Sequence, residues 1–261
     1  MSKREIKGSR VIVTGASSGI GRAVTLELAR EGAKLVAVAR REDRLKQLAD
    51  EINDINGRIE IIPGDITDAQ IRQRAIEAAQ SHYGGLDILV NNAGIGAMGR
   101  FEDADPQRVR KIFEVNFFAM VEMIRLALPL LKKSSAPMVV NVSSILGHRG
   151  APHSSEYSAS KFAVQGFSEA IRAEFFQQGI DVLVVSPGTT ETEFFDNVIE
   201  HTSGPNWPRH KLVSAAVVAR AMIKAMRRGR HEIIPYTPGK ILCWLNRLSP
   251  SLVDRIMARY S

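Results

Sequence analysis

The chain has 261 residues, 44% of them hydrophobic and 24% charged, with a single cysteine, Cys243. That is enough for one α/β domain whose core needs no covalent staples, and one cysteine excludes an internal disulfide or a cysteine metal cluster. The formal net charge is +7, but from His201 onward there are eleven Lys/Arg against two acids, Glu232 and Asp254, which points to a local basic surface rather than to nucleic-acid binding by the whole chain.

Met1–Arg10 is polar and lacks the apolar core of a signal peptide. No apolar run reaches the roughly 18 residues of a membrane span, so a cytoplasmic protein is expected. Short β-rich runs then alternate with longer helical ones. Strands are expected at Ser9–Val13, Lys34–Ala39, Arg58–Ile62, Leu86–Val90, Met138–Val142, Ile180–Val185 and His231–Ile234. They are apolar on both faces, as buried parallel strands must be. Helices are expected at Ile20–Glu31, Arg44–Ile55, Ala69–Tyr83, Pro106–Leu131, Glu156–Gln177 and Ser214–Arg228. This alternation predicts a doubly wound, Rossmann-type parallel sheet of about seven strands flanked by helices. Residues 1–261 read as one domain, within which 189–211 is a long irregular loop and 239–261 an amphipathic extension. The loop follows the sixth strand and so falls at the carboxyl edge of the sheet, where ligands bind in open α/β folds.

The first strand runs into Thr14-Gly15-Ala16-Ser17-Ser18-Gly19-Ile20-Gly21, and a helix follows. Gly15 permits the tight turn, Gly19 lets backbone approach a pyrophosphate, and Gly21 lets helix and strand pack closely. The unpaired N–H groups of the first helical turn face the anion. Gly15, Ser17, Ser18, Gly19, Ile20 and Gly21 are therefore expected at the cofactor. The second strand ends in Arg40-Arg41, with no acid at the junction to accept from a ribose 2′-hydroxyl. A guanidinium there suits a 2′-phosphate, so NADP is expected, held by Arg40, with Arg41 as its substitute and Ser17 as a neutral helper.

Tyr157 and Lys161 are four residues apart on a helix and share a face. The ammonium should lower the phenol's pKa from its usual value of about 10 and let Tyr157 act as a general acid/base. Ser144 ends the fifth strand and can steady charge on a substrate oxygen. Asn116 is a polar residue inside an apolar helical run and needs partners. His148 and His153 lack metal-ligand spacing with an acid or cysteine, so no catalytic metal is expected. The tail reads as two short helices, with Ile241, Trp244, Leu245 and Leu248 on one stripe, Lys240 and Arg247 off it, and Ser249-Pro250 opening the second. Two uses fit it: packing on the protein, or peripheral contact of residues 239–261 with an anionic membrane.

The glycine spacing Gly-x-x-x-Gly-x-Gly, Asp65, Asn91-Asn92-Ala93-Gly94, Asn116, Ser144, Tyr157-x-x-x-Lys161 and Pro187-Gly188 occur in an order that resembles the short-chain dehydrogenase/reductase family, over nearly the whole chain. The resemblance implies that Asp65 and Ile66 hold the adenine, although Asp65 also fits a helix cap. It implies that Asn92, Ala93 and Gly94 line the adenosine side, and that Pro187, Gly188, Thr190 and Thr192 meet the nicotinamide carboxamide. It gives Asn116 a water that reaches Lys161, favours Ser144 over its neighbour Ser143, and adds Tyr157 and Lys161 to the cofactor contacts. It also implies a homodimer or homotetramer through Pro106–Leu131 and Glu156–Gln177. The expected reaction interconverts a carbonyl and an alcohol, on a hydrophobic ketone, aldehyde or secondary alcohol bound among Ile145, Leu146, His148, Phe194, Phe195 and Trp207. An enoyl-reductase or dehydratase-like variant and a non-catalytic NADP-sensing regulator are the alternatives. The intact Ser144, Tyr157 and Lys161 argue against both.

Overall fold

The computed structural model describes residues 4–194, 198–201 and 212–260. Phe195 and Trp207, expected in the substrate pocket, lie outside the described residues. The first half runs β1 (Arg10–Thr14), α1 (Gly19–Arg30), β2 (Lys34–Ala39), α2 (Glu42–Asp54), β3 (Arg58–Pro63), α3 (Ala69–Tyr83), β4 (Ile88–Asn91) and β5 (Ala97–Met98). Then come α4 (Arg108–Phe113), a π turn (Glu114–Phe118), α5 (Ala119–Leu131), β6 (Met138–Val142), a 3₁₀ turn (Ile145–Gly147), α6 (Ser155–Phe176) and β7 (Asp181–Val185). The rest is β8 (Thr190–Glu191), β9 (Ile199–His201), β10 (Val213–Ser214), α7 (Ala215–Arg227), β11 (Glu232–Ile233), α8 (Thr237–Leu248) and α9 (Pro250–Met257).

Seven strands form one sheet in the order β11-β7-β6-β4-β1-β2-β3, with every neighbouring pair parallel. The two-residue side-chain period sorts each strand into two cores. Val11, Val13, Leu35 and Ala37 face the layer of α1, α2 and α7. Ile12, Val36 and Val38 face the layer of α3, α5 and α6. Both faces being covered, β1, β2, β6 and β7 are buried almost throughout, which is why they read as continuous apolar runs. The order of the strands reverses at β1, which lies between β2 and β4. The crevice beyond the carboxyl ends of β1 and β4 is thus the natural ligand site.

Three expectations change. Pro106–Leu131 is not one α-helix but α4, the π turn and α5, because side-chain periodicity does not register a single inserted residue. The described residues of 189–211 are not simply irregular: β8 pairs with β10, which follows the segment, and β9 with β5, in strands too short to show a pattern. In the tail, Pro250 does open α9, but Ser249 makes no side-chain capping bond.

Candidate active site

At the phosphate turn, the backbone at Gly15 is left-handed (φ +69°), and a Cβ there would stand 2.8 Å from Ala93 Cα. A Cβ on Gly21 would overlap Gly15 O. Helix α1 starts at Gly19 with Ser18 extended before it, no side-chain cap and no acid in its first turn. Its first N–H groups are therefore left for an anion. A glycine-walled cradle ending in an uncapped helix N-terminus fits a dinucleotide pyrophosphate.

Neighbouring strand ends brace this turn. Asn92 Nδ2 donates to Thr14 O at 3.0 Å and Gly15 O at 3.2 Å, and the backbone N–H groups of Asn92 and Ala93 both donate to Thr14 Oγ1 at 3.1 Å. Deeper in, Asn91 Nδ2 donates to Asn141 Oδ1 and Asn141 Nδ2 to Ser168 Oγ, each at 2.9 Å, a buried amide ladder from β4 through β6 to α6. Asp65 is not the cap of α3. It accepts from Thr67 N and Thr67 Oγ1 at 2.9 Å, while Asp68 takes the cap bond from Gln70 N at 2.8 Å. Ile66 is buried in the second core.

The two arginines after β2 differ in placement. Arg40 is exposed and forms no hydrogen bond or ion pair among the described residues. Arg41 lies beside the turn, with Nε and Nη2 each 3.4 Å from Ser17 Oγ, so Arg41 rather than Arg40 stands next to the neutral helper. The difference is one of helix geometry: Arg41 precedes the first residue of α2 and swings back towards the cleft.

Around the proposed chemistry, Lys161 Nζ donates to Val142 O at 2.9 Å and sits 5.7 Å from the Tyr157 ring centroid. Burial pushes the Lys161 ammonium down to about 8. Burial also pushes the Tyr157 phenol up to about 12, against a smaller lowering from the Ser144 hydroxyl. The expected lowering by Lys161 does not prevail in the chain alone, because the ammonium lies over the ring face rather than at the hydroxyl. Ser144 and Ser143 are told apart by their partners. Ser143 Oγ is spent on Lys161 O at 3.0 Å, whereas Ser144 Oγ accepts from Leu146 N at 3.1 Å and has its hydroxyl at the Tyr157 phenol, on the side of the cleft.

Asn116 sits in the π turn, where the extra residue turns its amide inward. Its Oδ1 accepts from Ile95 N at 2.8 Å, and its Nδ2 donates to Ile95 O at 3.0 Å and Ser160 Oγ at 2.9 Å. It ties the loop after β4 to the helix that carries Tyr157. Pro187 O accepts from Ile145 N at 2.9 Å, and Thr190 Oγ1 donates to Gly188 O at 3.0 Å. The Tyr236 ring packs against Gly188. His148 lies at the sheet edge rather than on offer to substrate: its Nε2 meets Glu232 Oε1 at 2.9 Å and Ser186 Oγ at 3.2 Å.

Several contacts were not anticipated from sequence. Phe194, expected at the substrate, stands against the Tyr157 ring, 5.4 Å between centroids and tilted by 56°, and a Cβ on Gly96 would be 2.7 Å from the Phe194 ring. Glu193 pairs with Arg41 at 2.7 Å and Arg44 at 3.4 Å. Glu156, next to Tyr157, is buried against Arg108 at 2.8 Å. None of these pairs leaves a periodic or spaced signature.

The profile of the short chain dehydrogenase family matches residues 9–203, and the chain belongs to that family. It is 32% identical over 96% of its length to the ketoacyl reductase HetN of Nostoc sp., covering 88% of that protein. It is 34% identical over 95% of its length to the 11-beta-hydroxysteroid dehydrogenase-like 4A protein of Arabidopsis thaliana, covering 83% of it. A short-chain dehydrogenase from Burkholderia cenocepacia, solved with NADP, superposes with a TM-score of 0.82 at 26% identity, over 97% of this chain and 99% of the other. One from Burkholderia phymatum, solved with NAD, shares the fold with a TM-score of 0.87 at 23% identity, over 95% and 96%.

Proposed function

We propose that this oxidoreductase is NADP(H)-dependent and interconverts a ketone or aldehyde and the corresponding alcohol on an apolar substrate. The observation that carries the reading is the trio Ser144, Tyr157 and Lys161 gathered above the sheet's carboxyl edge. Tyr157, kept protonated by burial, gives its phenolic proton to the carbonyl oxygen as that oxygen gains charge, and takes it back in the oxidation direction. Ser144 donates a hydrogen bond to the same oxygen. Lys161 places its charge beside the phenol, and Asn116 holds helix and loop in register. When bound, the nicotinamide supplies or accepts the hydride. The turn from Gly15 to Gly21 would hold the pyrophosphate. Asp65, Ile66 and Asn92–Gly94 would line the adenosine side, and Pro187–Thr192 the nicotinamide side.

The preference for NADP(H) is supported by the lack of an acid at the end of β2 and by Arg41 beside Ser17. We assign the 2′-phosphate to Arg41, with Arg40 as the outer cation. The apolar substrate is supported by Phe194 at Tyr157 and by relatives named for ketoacyl and hydroxysteroid chemistry. A screen of apolar ketones and aldehydes with NADPH tests this, with Tyr157→Phe alongside. Turnover should occur and fall at least about a hundredfold in the variant, with NADPH affinity kept. NADPH binding without turnover on any carbonyl would favour the sensing alternative.

We also propose two contacts of the surface. Val109, Phe118 and Phe162 are exposed on α4 to α6, which supports a homo-oligomer through these helices. In the tail, Cys243, Val253 and Met257 face the protein, while Ile241, Trp244, Leu248, Leu252 and Ile256 face outward. Lys240, Arg247, Arg255 and Arg259 are exposed among them, and the one acid, Asp254, is paired with Arg149 at 2.7 Å. A second copy would bring like charges together, so the face suits an anionic membrane surface. No described helix is long and apolar enough to cross a membrane.

A further inference from the structure

Three consecutive side chains leaving β8 reach three parts of the cleft. Thr192 lies against the phosphate turn, where a Cβ on Gly19 would stand 3.0 Å from Thr192 Cγ2. Phe194 lies on the Tyr157 ring. Between them, Glu193 reaches to the start of α2, taking Arg41 Nη1 on Oε2 at 2.7 Å and Arg44 Nη1 on Oε1 at 3.4 Å. The same Arg41 guanidinium faces Ser17. Two anionic oxygens shared between two guanidiniums are what a phosphate monoester would present at this place. The pairing also holds the Glu193 carboxyl below its usual range, chiefly through the Arg41 hydrogen bond.

We propose that Glu193 is a cofactor-specificity residue: its carboxylate occupies the arginine pair that receives the ribose 2′-phosphate, and it must be displaced by coenzymes carrying that phosphate but not by those lacking it. This rests on the nicotinamide-coenzyme reading above. Displacement of Glu193 also loosens its neighbours, Thr192 from the turn and Phe194 from Tyr157, so the 2′-phosphate is linked to the segment that covers the catalytic tyrosine. The side chains of Glu193, Arg41 and Arg44 are 38%, 37% and 44% exposed, so the competition is that of a solvent-screened pair, worth roughly two- to fivefold in binding.

Glu193→Gln keeps the shape and removes the charge. Dissociation constants for NADPH and NADH, read from nicotinamide fluorescence without substrate, should show NADPH tightening roughly two- to fivefold and NADH changing less. On an Arg41→Ala, Arg44→Ala background the effect of Glu193→Gln on NADPH should vanish. In the wild-type chain, amide exchange over Thr192–Phe194 should rise with NADPH relative to NADH. Equal changes for both coenzymes, or none, with binding intact, would overturn this inference alone. Binding of neither coenzyme to the wild-type chain would overturn the cofactor reading and this inference with it.

Discussion

Replacing Glu156 by glutamine would remove a buried negative charge from beside the Arg108 guanidinium. The Arg108 side chain is 1% exposed and that of Glu156 8%. Arg108 Nη2 and Nε both donate to Glu156 Oε1, at 2.8 and 3.1 Å, and Ser155 Oγ donates to Oε2 at 2.7 Å. Burial pushes the Glu156 carboxyl up, but the hydrogen bonds from Ser155 and Arg108 outweigh it and leave the group below its usual range. A depressed carboxyl contributes stability that is present above its unfolded value and lost as pH falls through the folded one. Removing one member of such a pair costs about 3–5 kcal/mol, because the other charge stays buried. Glutamine still offers a carbonyl, so the lower end applies, about 3 kcal/mol. For a chain of this size that lowers Tm by roughly 6–12 °C. Because α4 is tied to α6 one residue before Tyr157, kcat should also fall while coenzyme affinity stays. Urea and calorimetric unfolding at pH 7 read the stability. A loss below about 1 kcal/mol would refute the reasoning, as would a doubly apolar Arg108→Met, Glu156→Leu variant no more stable than Glu156→Gln.

The other expectations are shorter. With the Lys161 ammonium at about 8 and the Tyr157 phenol at about 12, kcat/KM for reduction should decline above about pH 8 as the lysine loses its charge, and a flat profile to pH 10 would count against that role. The same depressed lysine binds fewer protons folded than unfolded between about 8 and 10.5, so its contribution to stability rises with pH across that window. Gly21→Ala should cost about 1–3 kcal/mol and weaken coenzyme binding, since the new methyl overlaps Gly15 O; denaturation and coenzyme titration check both. The chain should sediment with anionic but not neutral vesicles, and Ile241→Ser, Trp244→Ser, Leu248→Ser together should abolish this without lowering Tm. Light scattering at micromolar concentration should show a dimer or tetramer that Phe118→Glu weakens.

The sheet was legible because parallel strands buried on both faces cannot hide their apolar runs; all seven expected strands occur in it. The phosphate turn was legible because Gly15 and Gly21 have no side chain for steric reasons that a sequence displays. Which of two adjacent arginines meets Ser17 was not, since both guanidiniums are long enough to reach and the backbone angle entering α2 decides. Apolar stripes in the tail were read correctly as helical, but in α8 the buried side chain is Cys243, outside the expected stripe, and in α9 those buried are Val253 and Met257. Phe194 was expected at the substrate, but its contact with Tyr157 and the whole role of Glu193 were invisible, because their partners are far away in sequence and meet them only through the excursion after β8. The role of His148 shifted for a similar reason: its partner Glu232 comes from the last strand of the sheet.

The π turn at Glu114–Phe118 can be read as a record of length. Such a turn is an α-helix carrying one residue too many, and each residue of an α-helix advances the direction of side chains by about 100°. Deleting any one residue between Glu114 and Phe118 would restore a regular helix and turn Asn116 out of phase with the residues beyond it. Ile95 and Ser160 would then lose their common partner, although α4 and α5 would keep their composition. Point deletions here should be more damaging than most point substitutions, and shortening elsewhere on the helix surface could not compensate for them.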